Sequence, residues 1–99
     1  MQFEFTATVW HWRGPAPFYF VSVPPAQSKQ LKEIVSLVTY GWGMIPVEAV
    51  IGDTAFTTAM FHRNGAYVLP LKDAVRRAEG IDVDDEVSVS LVVQPAQPR

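Results

Sequence analysis

The chain has no cysteine, which excludes a disulfide framework, a thiol nucleophile and a thiolate-bound metal. Its two histidines, His11 and His62, stand half the chain apart, a poor metal signature, and no metal site or cofactor is expected. Glycine-rich phosphate loops are missing too, since Gly41-Trp42-Gly43 reads as a helix stop. Long apolar runs are absent. The uncharged windows from Gly14 to Ser28 and from Ile34 to Val47 are broken by proline or glycine, and both fall short of the ~20 apolar residues of a membrane span. Met1-Gln2-Phe3-Glu4 carries no basic start and leads into no signal-peptide stretch. A soluble, cytoplasmic protein with no membrane partner is expected. Positive charge is not in excess either. Eight basic and ten acidic residues give −2, which speaks against a nucleic-acid partner, because that affinity grows with the phosphates neutralised.

What is present is an ordinary globular composition, 48% hydrophobic over 99 residues. That length suits a single domain over 1–99, with an ordered core of about 2–93 and a proline-containing tail at 94–99.

Phe3, Phe5, Ala7 and Val9 alternate with Glu4, Thr6 and Thr8, the period of a half-buried strand. Trp10 and Trp12 then fall on the face that carried Glu4 and Thr6, so the strand either turns both faces to apolar material or contains a bulge. A turn at Arg13-Gly14-Pro15-Ala16-Pro17 leads to a strand from Phe18 to Val23, and the first two strands read as an antiparallel hairpin. Pro24-Pro25 opens a helix whose stripe is Leu31, Ile34, Val35 and Val38, stopped at Tyr40-Gly41-Trp42-Gly43. Strands follow at Val47 to Ile51 and Thr54 to Phe61, joined at Gly52-Asp53. An Asn64-Gly65 turn then leads into a strand from Ala66 to Leu69. Pro70 and Leu71 start a short helix through Glu79, closed by Gly80, and Val87 to Val93 is the last strand. About six strands with two helices predict a mainly β fold, a small closed or split barrel with helices plugging its ends.

The segment from Tyr67 to Ile81, followed by Asp85-Glu86-Val87-Ser88-Val89, resembles the strand–Pro–helix–Gly–strand unit of AbrB-like swapped-hairpin barrels. Asp84 replaces the glycine of that pattern, so the left-handed turn there is strained or built differently. The chain as a whole resembles family 1905 of domains of unknown function. The residues that carry this are Val9-Trp10-His11-Trp12, Phe18 to Pro24, Gly41 to Val47 and Ile51 to Thr58. The resemblance implies a double-split β-barrel and brings no substrate or reaction.

The candidate chemistry lies in two groups. Trp10, His11, Trp12, Arg13 and Tyr19 form an aromatic-basic cluster suited to stacking, although packing under the first helix or inside the barrel explains the tryptophans as well. Lys72 and Arg76, four apart on the second helix, suit an anion with Arg63 in reach, although Asp73 pairing with Arg76 or Arg77 explains them too. The acidic run Asp82, Asp84, Asp85 and Glu86 reads as a solvated turn. The expected function is a non-catalytic binding or interaction module for a small anionic or aromatic ligand or a protein segment. Its site would be built from Trp10, Trp12, Tyr19, Trp42, Arg63, Lys72 and Arg76. The alternatives are a small enzyme with His62 or His11 as general base and, third, an AbrB-like DNA binder. A monomer or weak homodimer is expected.

Overall fold

The computed structural model describes residues 2–14, 18–38 (34–38 by backbone) and 44–93. Among these residues it forms seven strands and two helices: β1 (Gln2–Thr8), β2 (Trp10–Trp12), β3 (Phe18–Ser22), α1 (Pro25–Val38), β4 (Ile45–Ile51), β5 (Thr54–Arg63), β6 (Ala66–Leu71), α2 (Asp73–Glu79) and β7 (Glu86–Val93). The strand order is β1-β7-β4-β5-β6-β3-β2, with antiparallel pairing throughout. One sheet runs β1-β7-β4-β5 and a second runs β5-β6-β3-β2.

Two corners join the sheets. β5 pairs with β4 from Thr54 to Met60, then with β6 from Phe61 to Arg63. At the other corner β1 and β2 are consecutive in the chain yet stand at opposite ends of the strand order. Val9, between them, donates its N–H to the Asp85 carbonyl and accepts from the Asp84 N–H, each at 2.8 Å, while its neighbour Trp10 pairs with Phe20. Successive residues of a strand aim their backbone groups at opposite edges, so the segment from 2 to 12 serves β7 with one edge and β3 with the other. The curled, split barrel follows from that exchange. Val9 and Met60, one at each corner, are both fully buried.

The expected hairpin of the first two strands therefore holds only for Trp10–Trp12, because Gln2–Thr8 pairs with β7 instead. This turns six expected strands into seven. A second correction falls at Pro70 and Leu71, which belong to β6 and not to the helix. Pro70 stands opposite Phe20 and Leu71 opposite Tyr19, and α2 starts at Asp73 after the extended Lys72. Proline opens a helix only where no sheet claims its strand geometry, and here Leu71 is taken into the core.

The Asn64-Gly65 turn has both residues at positive φ, +52° and +85°, as a two-residue hairpin of the primed type requires. Pro25 opens α1, with the Pro24 carbonyl accepting from the Ser28 N–H. Gly80 closes α2 at φ +64°. Asp84 does adopt the left-handed conformation, at φ +71°. The stop at Tyr40-Gly41-Trp42-Gly43, the Pro15-Ala16-Pro17 part of the first turn, the side chains of Ile34, Val35 and Val38, and the 94–99 tail lie outside the described residues.

The inward side chains of both sheets form one core, among them Phe3, Phe5, Val21, Met60, Leu69 and Leu91. The helices close its ends. α1 inserts Leu31 and ties to β1 by Gln27 Nε2 donating to the Glu4 carbonyl at 3.0 Å. α2 inserts Val75 and ties to β5 by Glu79, which accepts from Thr54 Oγ1 at 2.6 Å. No described helix is long and apolar enough to cross a membrane.

Candidate functional site

Strand alternation decides which candidates meet. Val9, just before β2, and Tyr19, Val21, Leu69 and Leu71 on β3 and β6 face the core, so Trp10, Trp12, Phe18, Phe20, Val68 and Pro70 face outward. The change of character at Trp10 is thus a second apolar face rather than a bulge. Phe20 and Val68 are 5% and 2% exposed although neither belongs to the core cluster. What covers Phe20 is an aromatic layer on the outside of the barrel. Its ring lies 4.9 Å from Trp10, 6.1 Å from Phe18 and 5.8 Å, edge-on, from Phe61. Such pairs contribute roughly 0.5–1.5 kcal/mol each beyond the area they bury.

Part of this layer remains open. Trp12 is 36% and Phe18 47% exposed. Together with Phe20, Phe61, Arg63 and Pro70 they line a groove of about 380 Å³, within the range of small-ligand sites. A second groove of about 270 Å³ adjoins it at Arg63 and is lined by Trp10, Ser22, Asn64, Ala66 and Val68. The Arg63 guanidinium lies 5.3 Å from the centre of the Trp12 ring, a cation–π distance. Trp10 is fixed by its indole N–H donating to Ser22 Oγ at 3.0 Å. Trp12 lies against Gly14, where an added Cβ would stand 2.7 Å from its ring.

Tyr19 and Arg76 meet on the other side of the same sheet. The Arg76 guanidinium lies 3.3 Å from the Tyr19 ring centre, and His11 stacks on that ring at 4.6 Å. Arg76 also reaches Asp73 at 3.5 Å, the helix-face pairing that competes with anion binding, while its buried Nε has no partner among the described residues. Lys72 is exposed, at the start of α2. The structure thus brings Trp10, Trp12 and Arg63 into one groove system and places Tyr19 and Arg76 behind it. Trp42 lies outside the described residues.

Both histidines meet a tyrosine ring rather than a carboxylate: His11 on Tyr19, and His62 edge-on to Tyr67 at 5.1 Å. Burial raises the Tyr67 phenol above the ordinary tyrosine value. The acidic run closes on itself, with Asp85 Oδ2 accepting from the Asp82 N–H and Asp82 Oδ1 from the Val83 N–H, both at 2.8 Å. Among the described residues no group of three or more His, Asp or Glu is arranged to hold a metal. A further groove, about 450 Å³ over β1, β7 and β4, is lined by Glu4, Thr6, Ser88, Ser90 and Val50, and its one aromatic is the core residue Phe5.

Phe18, Phe61 and Pro70 are groove residues that the sequence pattern did not single out. A usable clue was present in the charges. Residues 5–32 and 54–72 contain no aspartate or glutamate, and these segments supply β2, β3, β5 and β6. All ten acidic side chains therefore lie outside the strands that build the aromatic face, while Arg13 and Arg63 lie on or beside it. The chain belongs to the family described as Domain of unknown function (DUF1905), which it matches over residues 5–91. No curated protein matches it.

Proposed function

We propose that the chain is a non-catalytic binding module whose outer aromatic face takes a small ligand combining a flat ring with a negative charge. The observation that carries this reading is Arg63 set against Trp12 at the junction of two open grooves, on strands free of carboxylates. The ring of the ligand lies in the apolar groove beside Trp12, Phe18 and Phe61, where stacking contributes about 1–3 kcal/mol. Its anionic group meets Arg63, and a hydrogen-bonding portion extends toward Ser22 and Asn64. A neutral ring loses the charge contact, and a ringless anion loses the stacking, so the two halves together confer selectivity.

The test is a thermal-shift and tryptophan-fluorescence titration with aryl phosphates and aryl carboxylates, using neutral aryl alcohols and inorganic phosphate as controls. A ligand that binds the native state raises the melting temperature by mass action. Saturable binding of an aryl anion, weakened by Trp12→Ala and by Arg63→Ala but retained in Lys72→Ala, supports the reading. Absence of any saturable aryl-anion response, or equal affinity in Arg63→Ala, overturns it.

A further inference from the structure

We propose that Asn64 is a site of spontaneous deamidation, and that the carboxylate produced there neutralises Arg63 in the adjoining groove; the second half rests on the binding function proposed for that groove. Asn64 is the single asparagine of the chain and is followed by glycine. Both residues are exposed and stand beyond the last ladder pair, Arg63 with Ala66, which leaves the Gly65 N–H outside the ladder. A Cβ added at Gly65 would meet nothing within 4 Å, so the space beside this exposed glycine is open and it carries no side chain of its own to crowd the approach. Three pairs, Phe61–Val68, His62–Tyr67 and Arg63–Ala66, tie the end of β5 to β6, and a tip held so lightly opens locally at low cost.

The step needs only water as co-reactant. The Gly65 backbone nitrogen, having lost its proton, attacks the carboxamide carbon of Asn64. A new C–N bond closes a five-membered imide, the bond from that carbon to the amide nitrogen breaks, and ammonia leaves with the proton. Water then opens the imide at either carbonyl to give aspartate or isoaspartate. Asn64 lines the same groove as Arg63, Trp10 and Ser22, so its new carboxylate competes with the ligand's anionic group for the guanidinium. The isoaspartyl product also lengthens the turn backbone, which disturbs the register of a three-pair ladder.

The experiment ages the folded protein in neutral and mildly alkaline buffer and follows its mass, with Asn64→Gly as the variant that keeps a turn-compatible residue. Gain of one mass unit within residues 64–72, faster at the higher pH and absent in Asn64→Gly, supports the modification. If the folded protein gains no mass while the same protein in denaturant does, the turn protects the residue and the modification is overturned. For the consequence, Asn64→Asp is titrated with an aryl phosphate beside the unaged protein. Affinity lower by about two- to fivefold at low salt, converging at high salt, supports it, as expected for a screened surface pair. Equal affinity at low salt overturns it. The mass is read without ligand, so a protein that binds no aryl anion overturns the binding function and leaves the modification decided on its own evidence.

Discussion

The Tyr67 amide donates to the hydroxyl of Ser28, 3.1 Å away, instead of to the strand opposite it. Ser28 Oγ in turn donates to the Val23 carbonyl at 3.0 Å, while the Val23 N–H reaches the Tyr67 carbonyl directly at 2.8 Å. One half of the Val23–Tyr67 ladder pair is therefore direct, and the other passes through a side chain of α1. Ser28 is 4% exposed, the one buried polar residue among those described. It satisfies two backbone groups at the place where β3 gives way to the helix. Ser28→Ala should leave both groups unpaired in the interior and cost about 1–3 kcal/mol. At about 4–8 °C per kcal/mol for a protein of this length, a thermal melt resolves that loss. Hydrogen exchange supplies the site-specific check: the Tyr67 amide should exchange faster in the variant, and unchanged protection would refute the bridge.

The β4–β5 turn is held from α2. The Glu79 carboxylate accepts from Thr54 Oγ1 at 2.6 Å and from the Asp53 N–H at 3.3 Å. Gly52 stands at φ +60°, and a Cβ built there would collide with the Glu79 carboxylate. Gly52→Ala should destabilise by roughly 1–3 kcal/mol through backbone strain and displacement of Glu79. Glu79→Ala removes the collision but not the strain. The double variant should thus be more stable than the sum of the two single losses, with a coupling of at least about 0.5 kcal/mol. Strict additivity in chemical denaturation would show that the two residues do not interact.

Asp84 holds a left-handed backbone, φ +71°, in a turn beside Asp82, Asp85 and Glu86, the last at the start of β7. Its N–H must stay in place, because it donates to the Val9 carbonyl at the barrel corner. Glycine keeps that bond, removes the side-chain strain and takes away one of four neighbouring negative charges. Asp84→Gly should raise stability by up to about 1 kcal/mol, the release of strain being offset by the greater freedom of glycine in the unfolded state. Asp84→Val, branched at Cβ, should lower it. A melting temperature that falls in the glycine variant would give the Asp84 carboxylate a role that strain does not cover.

Tyr67 links stability to alkaline pH. Burial lifts its phenol above the ordinary 10.0, so around that pH the unfolded state loses the proton while the folded state keeps it. The unfolded state then binds fewer protons, and stability must fall as pH rises from about 10 toward the folded value. Tyr67→Phe has no phenol to ionise. Its melting temperature should decline less steeply than that of the parent across this window, and parallel curves would rule the linkage out.

Much of the architecture is local and therefore readable. The period-two alternation of Phe3 to Val9 and of Val87 to Val93 appears as inward faces of β1 and β7. Asn64-Gly65, Gly52-Asp53 and Pro24-Pro25 each specify their turn or helix start through backbone preference alone. Pro70 misled because its fixed φ is compatible with a helix start and with a strand, and only pairing with β3 selects between them.

The candidate site was legible as residue types and not as a surface. Trp10, Trp12 and Arg63 meet, while Tyr19 and Arg76 meet behind them, because neighbours along a strand point to opposite sides of the sheet. Phe18 and Phe61 gain their importance from Phe20, which gathers both rings across strands distant in the chain.

By itself the sequence determined a mainly β fold, the turns at Gly52-Asp53 and Asn64-Gly65 and the absence of thiol chemistry, since composition and backbone preference act over a few residues. Only the tertiary structure decided that the segment from 2 to 12 serves two sheets, and which side of the second sheet holds the open aromatic grooves. Edge exchange at Val9 and the pairing of β3 with β6 join residues far apart in sequence, and no short-range preference encodes that choice.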